Sequence, residues 1–278
     1  MPELPEVETV RRTLAESVVG KKIIQADILL PKMVRDCPLA SFVGGVTGRS
    51  IRRVDRRGKF LLLRLDSELT LVVHLGMSGR FFYAEERPPG GFPRHTHAVF
   101  RLDDGGWLVY CDPRQFGRLT LADDPRRVVR GLGRMGPEPL EREFSASYLE
   151  GVLGRRKGRI KQVLLDQGLV AGIGNIYADE ILFDARIHPE RRAESLTGEE
   201  AARLHQSIRR VLRRGIRHRG TTISDYVDGR GVPGDFQNRL KAYGREGEAC
   251  PRCGEQIRRI RLAGRSTYFC PGCQQQEV

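Results

Sequence analysis

The sequence has no long hydrophobic run. Its longest apolar stretches contain four or five residues, whereas a helix that crosses a bilayer needs about 20. The first residues also lack the basic start and the apolar stretch of a secretory signal, because acidic residues from Glu3 to Glu16 surround Arg11 and Arg12. We therefore expect a cytoplasmic protein that has no membrane partner.

Lysine is scarce, yet the chain is strongly basic. Only 7 of the 48 basic residues are lysine and 41 are arginine, and the net charge is +13. A guanidinium group matches the geometry of phosphate with two parallel hydrogen bonds. The composition therefore predicts a polyanionic partner, with nucleic acid as the first candidate. The alternative is a ribosome-associated or merely basic enzyme.

Cysteine is concentrated at the end of the chain. Two isolated cysteines are followed by two C-x-x-C pairs: Cys37 and Cys111, then Cys250, Cys253, Cys270 and Cys273. In a reducing compartment the two pairs indicate a metal site and not disulfides. Four thiolates surround one Zn²⁺ tetrahedrally and leave no open position, so the predicted zinc is structural.

The segment between the two cysteine pairs predicts a β-hairpin with its turn near residues 263–265. It carries four arginines, which are either a solvated basic face or phosphate contacts: Arg258, Arg259, Arg261 and Arg265.

Apolar periodicity predicts an α+β protein. Residues 5–18 have the three- and four-residue spacing of a helix, and eight short β-rich runs between residues 21 and 121 predict an antiparallel sandwich or barrel. Helices are then predicted over 159–167 and 176–187, and after Thr197, where T-x-x-E forms a capping box.

Composition changes along the chain predict the domain boundaries. Pro- and Gly-rich residues mark a linker, and a Gly-rich polar stretch over 217–237 predicts a flexible loop. The predicted order is an N-terminal sandwich domain at 1–132, a linker at 133–143, a helical domain at 144–239 and a zinc hairpin at 240–278.

The N-terminus is a candidate for covalent chemistry. Removal of Met1 frees the secondary amine of Pro2, and an α-amino group has a pKa of about 8 against about 10.4 for lysine. The positive end of the following helix lowers that pKa further. Such an amine can attack a sugar C1′ and form an iminium, with Glu3 or Glu6 as the proton donor. The alternative is an ordinary capped helix start.

Five further residues lie near glycine-rich strand ends: Lys59, His74, Met77, Arg114 and Phe116. An exposed apolar side chain can wedge between base pairs, and an arginine can fill a vacated base position. The alternatives are a core position for Met77 and Phe116 and a hydrogen-bonded core histidine for His74.

These motifs, in this order, resemble one family, the bacterial formamidopyrimidine-DNA glycosylases. The resemblance covers nearly the whole chain and includes PELPEVETVRR at 2–12, HLGMSG at 74–79, DPRQFG at 112–117, QGLVAGIGNIYADE at 167–180 and GRSTYFCPGCQ at 264–274. It implies an N-terminal antiparallel β-sandwich with a leading helix, then a helix-two-turns-helix domain with a zinc-ribbon hairpin. It also implies a bifunctional glycosylase and lyase of base excision repair, which excises 8-oxoguanine and formamidopyrimidines and nicks the strand by β,δ-elimination.

The resemblance implies residue roles by position. Pro2 matches the Schiff-base nucleophile, Glu3 the proton donor and acceptor, and Glu6 a supporting acid. Lys59 matches the residue linked to β-elimination, and Arg265 the one linked to δ-elimination and phosphate binding. The implied structural cofactor is one zinc ion on the four C-terminal cysteines.

The DNA contacts follow in the same way. Met77, Arg114 and Phe116 match the set that fills the gap left by a flipped nucleotide, and the 217–237 loop matches the one that caps the extruded base. Other positions that match DNA contacts are His74, His95, Arg156, Lys161, Asn175 and Tyr243. Gln115 departs from the pattern, since a basic residue is common there. The implied partner is duplex DNA that contains oxidised purines, bound by a monomer in the nucleoid.

Two other assignments stay open. The endonuclease VIII branch of the same superfamily favours oxidised pyrimidines, but it typically begins PEGPE where this chain has Leu4. The second assignment is a zinc-ribbon protein that binds damaged DNA without catalysis. The presence of Pro2, Glu3 and Lys59 argues against it.

Overall fold

The computed structural model describes residues 1–276, which form two compact units. The first unit contains Met1–Arg134 together with Ile216–Gln237, and the second contains Met135–Gly215 and residues 238–276. The segment 216–237 thus belongs to the first unit although it follows the second unit's helices in sequence.

The first unit consists of helix α1, eight strands and two short helices. Their bounds are α1 Leu4–Val18, β1 Ile23–Ile28, α2 Leu39–Val46, β2 Ile51–Arg57, β3 Phe60–Leu65, β4 Thr70–His74, β5 Arg80–Ala84, β6 Thr96–Leu102, β7 Trp107–Cys111, β8 Arg118–Ala122 and α3 Pro125–Val128. The strands form two antiparallel four-stranded sheets, in the orders β1-β6-β7-β5 and β2-β3-β4-β8. The eight predicted strands and the leading helix are confirmed.

The core of the first unit lies between the two sheets and α1. The buried face of α1 is formed by Val7, Val10, Leu14 and Val18. Both sheets contribute side chains to the same cluster, among them Leu61 and Leu63 from β3 and Phe100 from β6. This shared core is the hydrophobic reason for a sandwich, because each sheet buries one face against the other.

The second unit is helical and ends in a hairpin. Its elements are α4 Ala146–Leu153, α5 Ile160–Leu165, α6 Asn175–Ala185, α7 Gly198–Arg217, β9 Arg258–Leu262 and β10 Arg265–Phe269. The Thr197 capping box before α7 is confirmed, since the Thr197 amide donates to Glu200 Oε2 at 2.9 Å and the Glu200 amide donates to Thr197 Oγ1 at 3.2 Å. The hairpin turn falls at Ala263 and Gly264, as predicted.

Within residues 1–276, the structure contains no helix that combines the length and the apolar character needed to cross a membrane.

Candidate active site and nucleic-acid interface

The start of α1 is a buried, hydrogen-bonded structure. Pro2 is buried, and Glu3 and Glu6 are each 2% exposed. Glu3 is the N-cap, and the two glutamates form a reciprocal capping box in which the Glu3 amide donates to Glu6 Oε2 at 2.8 Å. Pro2 therefore lies next to two carboxylates at the positive end of a 15-residue helix.

The second oxygen of Glu6 is held by the 216–237 segment. The Thr221 amide donates to Glu6 Oε1 at 2.6 Å, and the Tyr226 hydroxyl donates to the Glu6 carbonyl at 3.2 Å. Gly220 has a φ of +78°, and a Cβ there would lie 2.9 Å from Glu6 Cγ and Oε1. Glycine is thus required where this segment approaches the start of α1.

The predicted flexible loop is anchored at several points. Gly229 donates to Thr13 Oγ1 at 2.8 Å, and Arg230 pairs with Glu16 at 2.5 Å, so the loop follows α1 along its length. Two short stretches are exposed, Ile223 to Asp225 and Arg230 to Pro233, and the buried residues Tyr226, Asp228 and Gly229 lie between them. The segment is therefore a structured part of the first unit.

Lys59 lies in the tight turn between β2 and β3 and is 8% exposed. The turn carbonyl of Gly58 accepts from the Arg56 guanidinium at 3.1 Å, and Arg56 also contacts Glu8 Oε2 at 3.1 Å. Burial alone would raise the pKa of Glu8, but hydrogen bonds from Arg11 and Arg12 and the charge of Arg56 lower it to about 2. Glu8 is therefore an anion that connects α1 to the Lys59 turn.

His74 ends β4 beside this turn. Its ring lies 4.6 Å from the Phe60 ring, and its Nδ1 accepts the Gly76 amide at 3.2 Å. Burial, with the positive charges of Arg118 and Lys59, lowers the pKa of His74 to about 4. The ring is neutral at physiological pH and presents an Nε2–H donor.

Met77, Arg114 and Phe116 are surface residues. Met77 is 41% and Phe116 is 59% exposed, which excludes the core alternative for both. The Arg114 guanidinium lies over the Phe116 ring at 5.2 Å. His95 is also exposed and adopts a φ of 64°. The two loops that carry Met77 and the Arg114–Phe116 pair thus present apolar and cationic groups to solvent side by side.

Lys161 is buried, although the family resemblance implies that it contacts DNA. Its side chain is 1% exposed, and Nζ lies 2.7 Å from Asp179 Oδ1 and donates to Thr267 Oγ1 at 2.8 Å. Asn175, the first residue of α6, donates to the Ser266 carbonyl at 3.0 Å. Lys161 therefore joins α5 and α6 to strand β10, and its ammonium faces the protein interior and not a surface.

The other predicted residues of the second unit lie at or near its surface. Arg156 and Arg265 are exposed, and Tyr243 is half-buried against Tyr268 with ring centroids 5.1 Å apart. The Tyr243 amide donates to Glu180 Oε1 at 2.9 Å. Glu180 also accepts the amides of the two preceding residues, Lys241 and Ala242.

Three acidic residues were missed by the sequence reasoning: Glu8, Asp112 and Glu180. Each is buried, and each holds a segment that carries a predicted site residue. A buried carboxylate in a charged or polar stretch has no periodic signature, so composition could not find them. The available signal was their position inside the quoted motifs PELPEVE, DPRQFG and NIYADE.

The four C-terminal cysteines form a metal-binding cluster. Their sulfur atoms all lie within 4.8 Å of one another, with Cys250 and Cys273 at 3.9 Å and Cys253 and Cys270 at 3.4 Å. A tetrahedral Zn²⁺ with Zn–S bonds of about 2.3 Å separates its sulfurs by about 3.8 Å, whereas a disulfide requires about 2.05 Å. The cluster therefore fits one closed zinc site.

Comparison with known proteins identifies the family. The model for the formamidopyrimidine-DNA glycosylase N-terminal domain matches residues 1–119, the one for its H2TH domain matches 135–227, and the zinc finger found in FPG and IleRS matches 247–276. The chain belongs to the formamidopyrimidine-DNA glycosylase family.

Full-length relatives agree with this assignment. The formamidopyrimidine-DNA glycosylase of Desulforamulus reducens is 49% identical, with 99% of each chain covered. That of Heliobacterium modesticaldum is 50% identical over 99% of this chain and 100% of its own. Among solved structures, a Lactococcus lactis FPG mutant in complex with Fapy-dG-containing DNA is 39% identical, with a TM-score of 0.92 over 99% of this chain and 100% of that one. The present glycosylase is accordingly a DNA repair enzyme with one structural zinc.

Proposed function

We propose that this glycosylase removes 8-oxoguanine and formamidopyrimidines from duplex DNA through a Schiff base on Pro2, and then cleaves the strand by β,δ-elimination. The observation that carries the proposal is the buried start of α1, where Pro2 adjoins the hydrogen-bonded Glu3–Glu6 pair. The proposed setting is the cytoplasm, where a monomer acts on the nucleoid.

The amine of Pro2 is the nucleophile once Met1 is removed. Its lone pair forms a bond to C1′ of the damaged nucleotide while the glycosidic bond breaks, and the base leaves with that electron pair and a proton. The nitrogen, now bonded to C1′, loses its own proton, and its lone pair then expels O4′ from C1′. O4′ takes up a proton as the sugar ring opens, and the resulting C1′=N⁺ bond is the iminium. The helix N-terminus favours the unprotonated amine before attack, because its positive end disfavours a nearby ammonium.

Glu3 is the proposed proton carrier at the sugar, and Glu6 is its support. The Glu6 carboxylate accepts the Glu3 amide with one oxygen and the Thr221 amide with the other. It therefore fixes the backbone of Glu3 and connects the catalytic terminus to the 216–237 segment, which contains the proposed 217–237 cap of the extruded base. When the cap becomes ordered around a lesion, its hydrogen bond to Glu6 would therefore also fix the position of Glu3.

The remaining residues serve elimination and DNA binding. Lys59 assists β-elimination, and Arg265 assists δ-elimination while it holds phosphate. Met77, Arg114 and Phe116 enter the gap that the flipped nucleotide leaves. Residues proposed to contact DNA elsewhere are His74, His95, Arg156, Asn175 and Tyr243. Lys161 acts indirectly, by holding the hairpin that carries Arg265.

Zinc on Cys250, Cys253, Cys270 and Cys273 would hold the two ends of the β9–β10 hairpin together. The four sulfur ligands close the coordination shell, so the ion supplies folding energy and takes no part in the reaction.

Borohydride trapping tests the nucleophile. The enzyme is mixed with an 8-oxoguanine:C duplex and reductant, and the crosslinked peptide is mapped by mass spectrometry. We expect the sugar on the nitrogen of Pro2. The matched control is the same chain with Met1 retained, in which that nitrogen is an amide and no crosslink should form. A sugar on another side chain, or crosslinking by the Met1-bearing protein, would contradict the mechanism.

Substrate preference separates this proposal from the endonuclease VIII alternative. The enzyme is expected to cleave an 8-oxoguanine:C duplex at a higher kcat/KM than a thymine glycol duplex of the same sequence. The reverse order would favour the oxidised-pyrimidine assignment. Binding of both duplexes without cleavage or trapping would instead favour a non-catalytic protein.

A further inference from the structure

Asp112 is a fully buried carboxylate directly after strand β7, with 0% exposure. Ser78 Oγ donates to its Oδ1 at 2.6 Å, and the Gly117 amide donates to its Oδ2 at 2.8 Å. Its own carbonyl contacts His97 Nε2 at 2.9 Å and accepts the Gln115 amide at 3.1 Å. Asp112 therefore binds both ends of the 112–117 loop and reaches the neighbouring loop through Ser78.

Ser78 completes the connection between the two loops. It is 4% exposed, and its Oγ accepts the Arg114 amide at 3.1 Å while its hydroxyl hydrogen is directed to Asp112. The backbones also meet, because a Cβ on Gly76 would lie 2.5 Å from the Gly117 nitrogen. The 74–79 and 112–117 loops are thus held together by buried hydrogen bonds and by a contact that admits only glycine.

The three side chains that these loops present do not hold the loops in one conformation. Met77, Arg114 and Phe116 are exposed, so in the free protein the burial of their side chains contributes little to loop stability. Their relative placement must come from the backbone, which Asp112 and Ser78 hold. We infer that Asp112 and Ser78 are positioning residues that make the two loops one preformed wedge.

The inference rests on the proposed function, because it assumes that the wedge opens a base stack. Flipping a base costs a few kcal/mol, and the wedge residues must enter the stack together to offset that cost. Loops that move separately would have to be ordered during insertion, which adds an entropic cost to that step alone. Loss of the Asp112–Ser78 hydrogen bonds should therefore slow reactions that require opening of the base stack. Reactions that do not require it should keep their rate.

The test compares one lesion in two settings. Ser78→Ala is assayed for kcat/KM on 8-oxoguanine in a duplex and on the same lesion in an unpaired bubble. We expect kcat/KM on the duplex to fall about tenfold, which is the order of magnitude for one lost buried hydrogen bond. On the bubble, kcat/KM should change by less than about twofold. Ser78→Cys, which keeps a weak donor and acceptor, should recover part of the duplex activity.

A second readout does not need catalysis. A 2-aminopurine beside the lesion brightens when it is unstacked, and Ser78→Ala should show a smaller increase on binding than the wild type. Asp112→Asn should give the same pattern, and the double variant should add little to either single change. The control is Thr70→Val, which removes a buried hydroxyl that accepts from Arg64 Nη1 at 2.8 Å at the start of β4. It should change neither the ratio of duplex to bubble activity nor the 2-aminopurine fluorescence.

The outcomes are distinguishable. Equal losses on duplex and bubble, or an unchanged fluorescence response, would overturn the positioning role, since a general loss of folded protein lowers both rates alike. If the wild type cleaves neither substrate but the fluorescence difference persists, the proposed catalytic function fails and the wedge inference stands. If Ser78→Ala does not fold, Ser78→Cys and Asp112→Asn carry both measurements.

Discussion

At the scale of single residues, the protonation of His74 is set by its surroundings. Burial and the charges of Arg118 and Lys59 lower its pKa to about 4, whereas an unfolded chain protonates histidine near pH 6.5. The stability that depends on the neutral ring is therefore present above pH 6.5 and is lost as the pH falls towards 4. The neutral His74 ring contributes about 3 kcal/mol at most to the free energy of unfolding.

The variant His74→Asn measures this contribution, because an amide oxygen can still accept the Gly76 amide in place of Nδ1. The wild type should unfold at a higher temperature than the variant at pH 7.5. We expect this difference in unfolding midpoint to become smaller at pH 4.5. A gap that is constant for His74→Asn, or an NMR titration midpoint near 6.5 for His74, would contradict the prediction.

At the scale of elements, one buried ion pair connects α5, α6 and β10. Burial raises the pKa of Asp179, and the Lys161 ammonium at 2.7 Å opposes that shift. Lys161→Met would leave the carboxylate buried without its counter-charge, so we expect a loss of about 3–5 kcal/mol in the unfolding free energy of the second unit. Urea unfolding monitored by hydrogen exchange in that unit measures it.

Two variants control this experiment. Lys157→Met, at an exposed position four residues earlier, should cost less than about 0.5 kcal/mol. The double variant Lys161→Met with Asp179→Leu should recover much of the loss, because a buried pair replaced by apolar groups of similar volume is often near neutral. A small loss in Lys161→Met would show that the ammonium is not confined to the interior.

The elements that were predicted correctly are those with a local signal. Spacing along α1, alternation in the strands and the paired cysteines each repeat within a few residues. The family resemblance implies a DNA contact for Lys161, whereas its buried pairing with Asp179 could not be predicted, because the two residues are 18 positions apart, at a spacing that has no periodic meaning. The 217–237 segment was predicted to be flexible because glycines and polar residues give no hint that Thr221 bonds Glu6, 215 residues away. Long-range hydrogen bonds to buried carboxylates determine the parts of the site that composition cannot show.

At the scale of the whole molecule, the net charge of +13 is not a count of phosphate contacts. Many arginines already pair with carboxylates, as Arg191 does with Glu200 at 3.0 Å and Arg210 with Asp184 at 2.5 Å. Only unpaired, surface cations release counterions from DNA, and each phosphate contact contributes about −0.9 to the slope of log K against log salt. The slope should therefore be smaller in magnitude than the net charge suggests.

Two variants that each remove one positive charge test this view. Arg265 is exposed at the start of β10 and is proposed to hold phosphate, so Arg265→Gln should make the slope less steep by about 0.9. Arg210→Gln removes the same formal charge from an existing ion pair and should leave the slope unchanged. Fluorescence anisotropy with an undamaged duplex, over about 50 to 300 mM salt, measures both. Equal changes in the two variants would show that overall charge, and not individual phosphate contacts, controls binding, because both substitutions remove one formal charge but only Arg265 is proposed to contact phosphate.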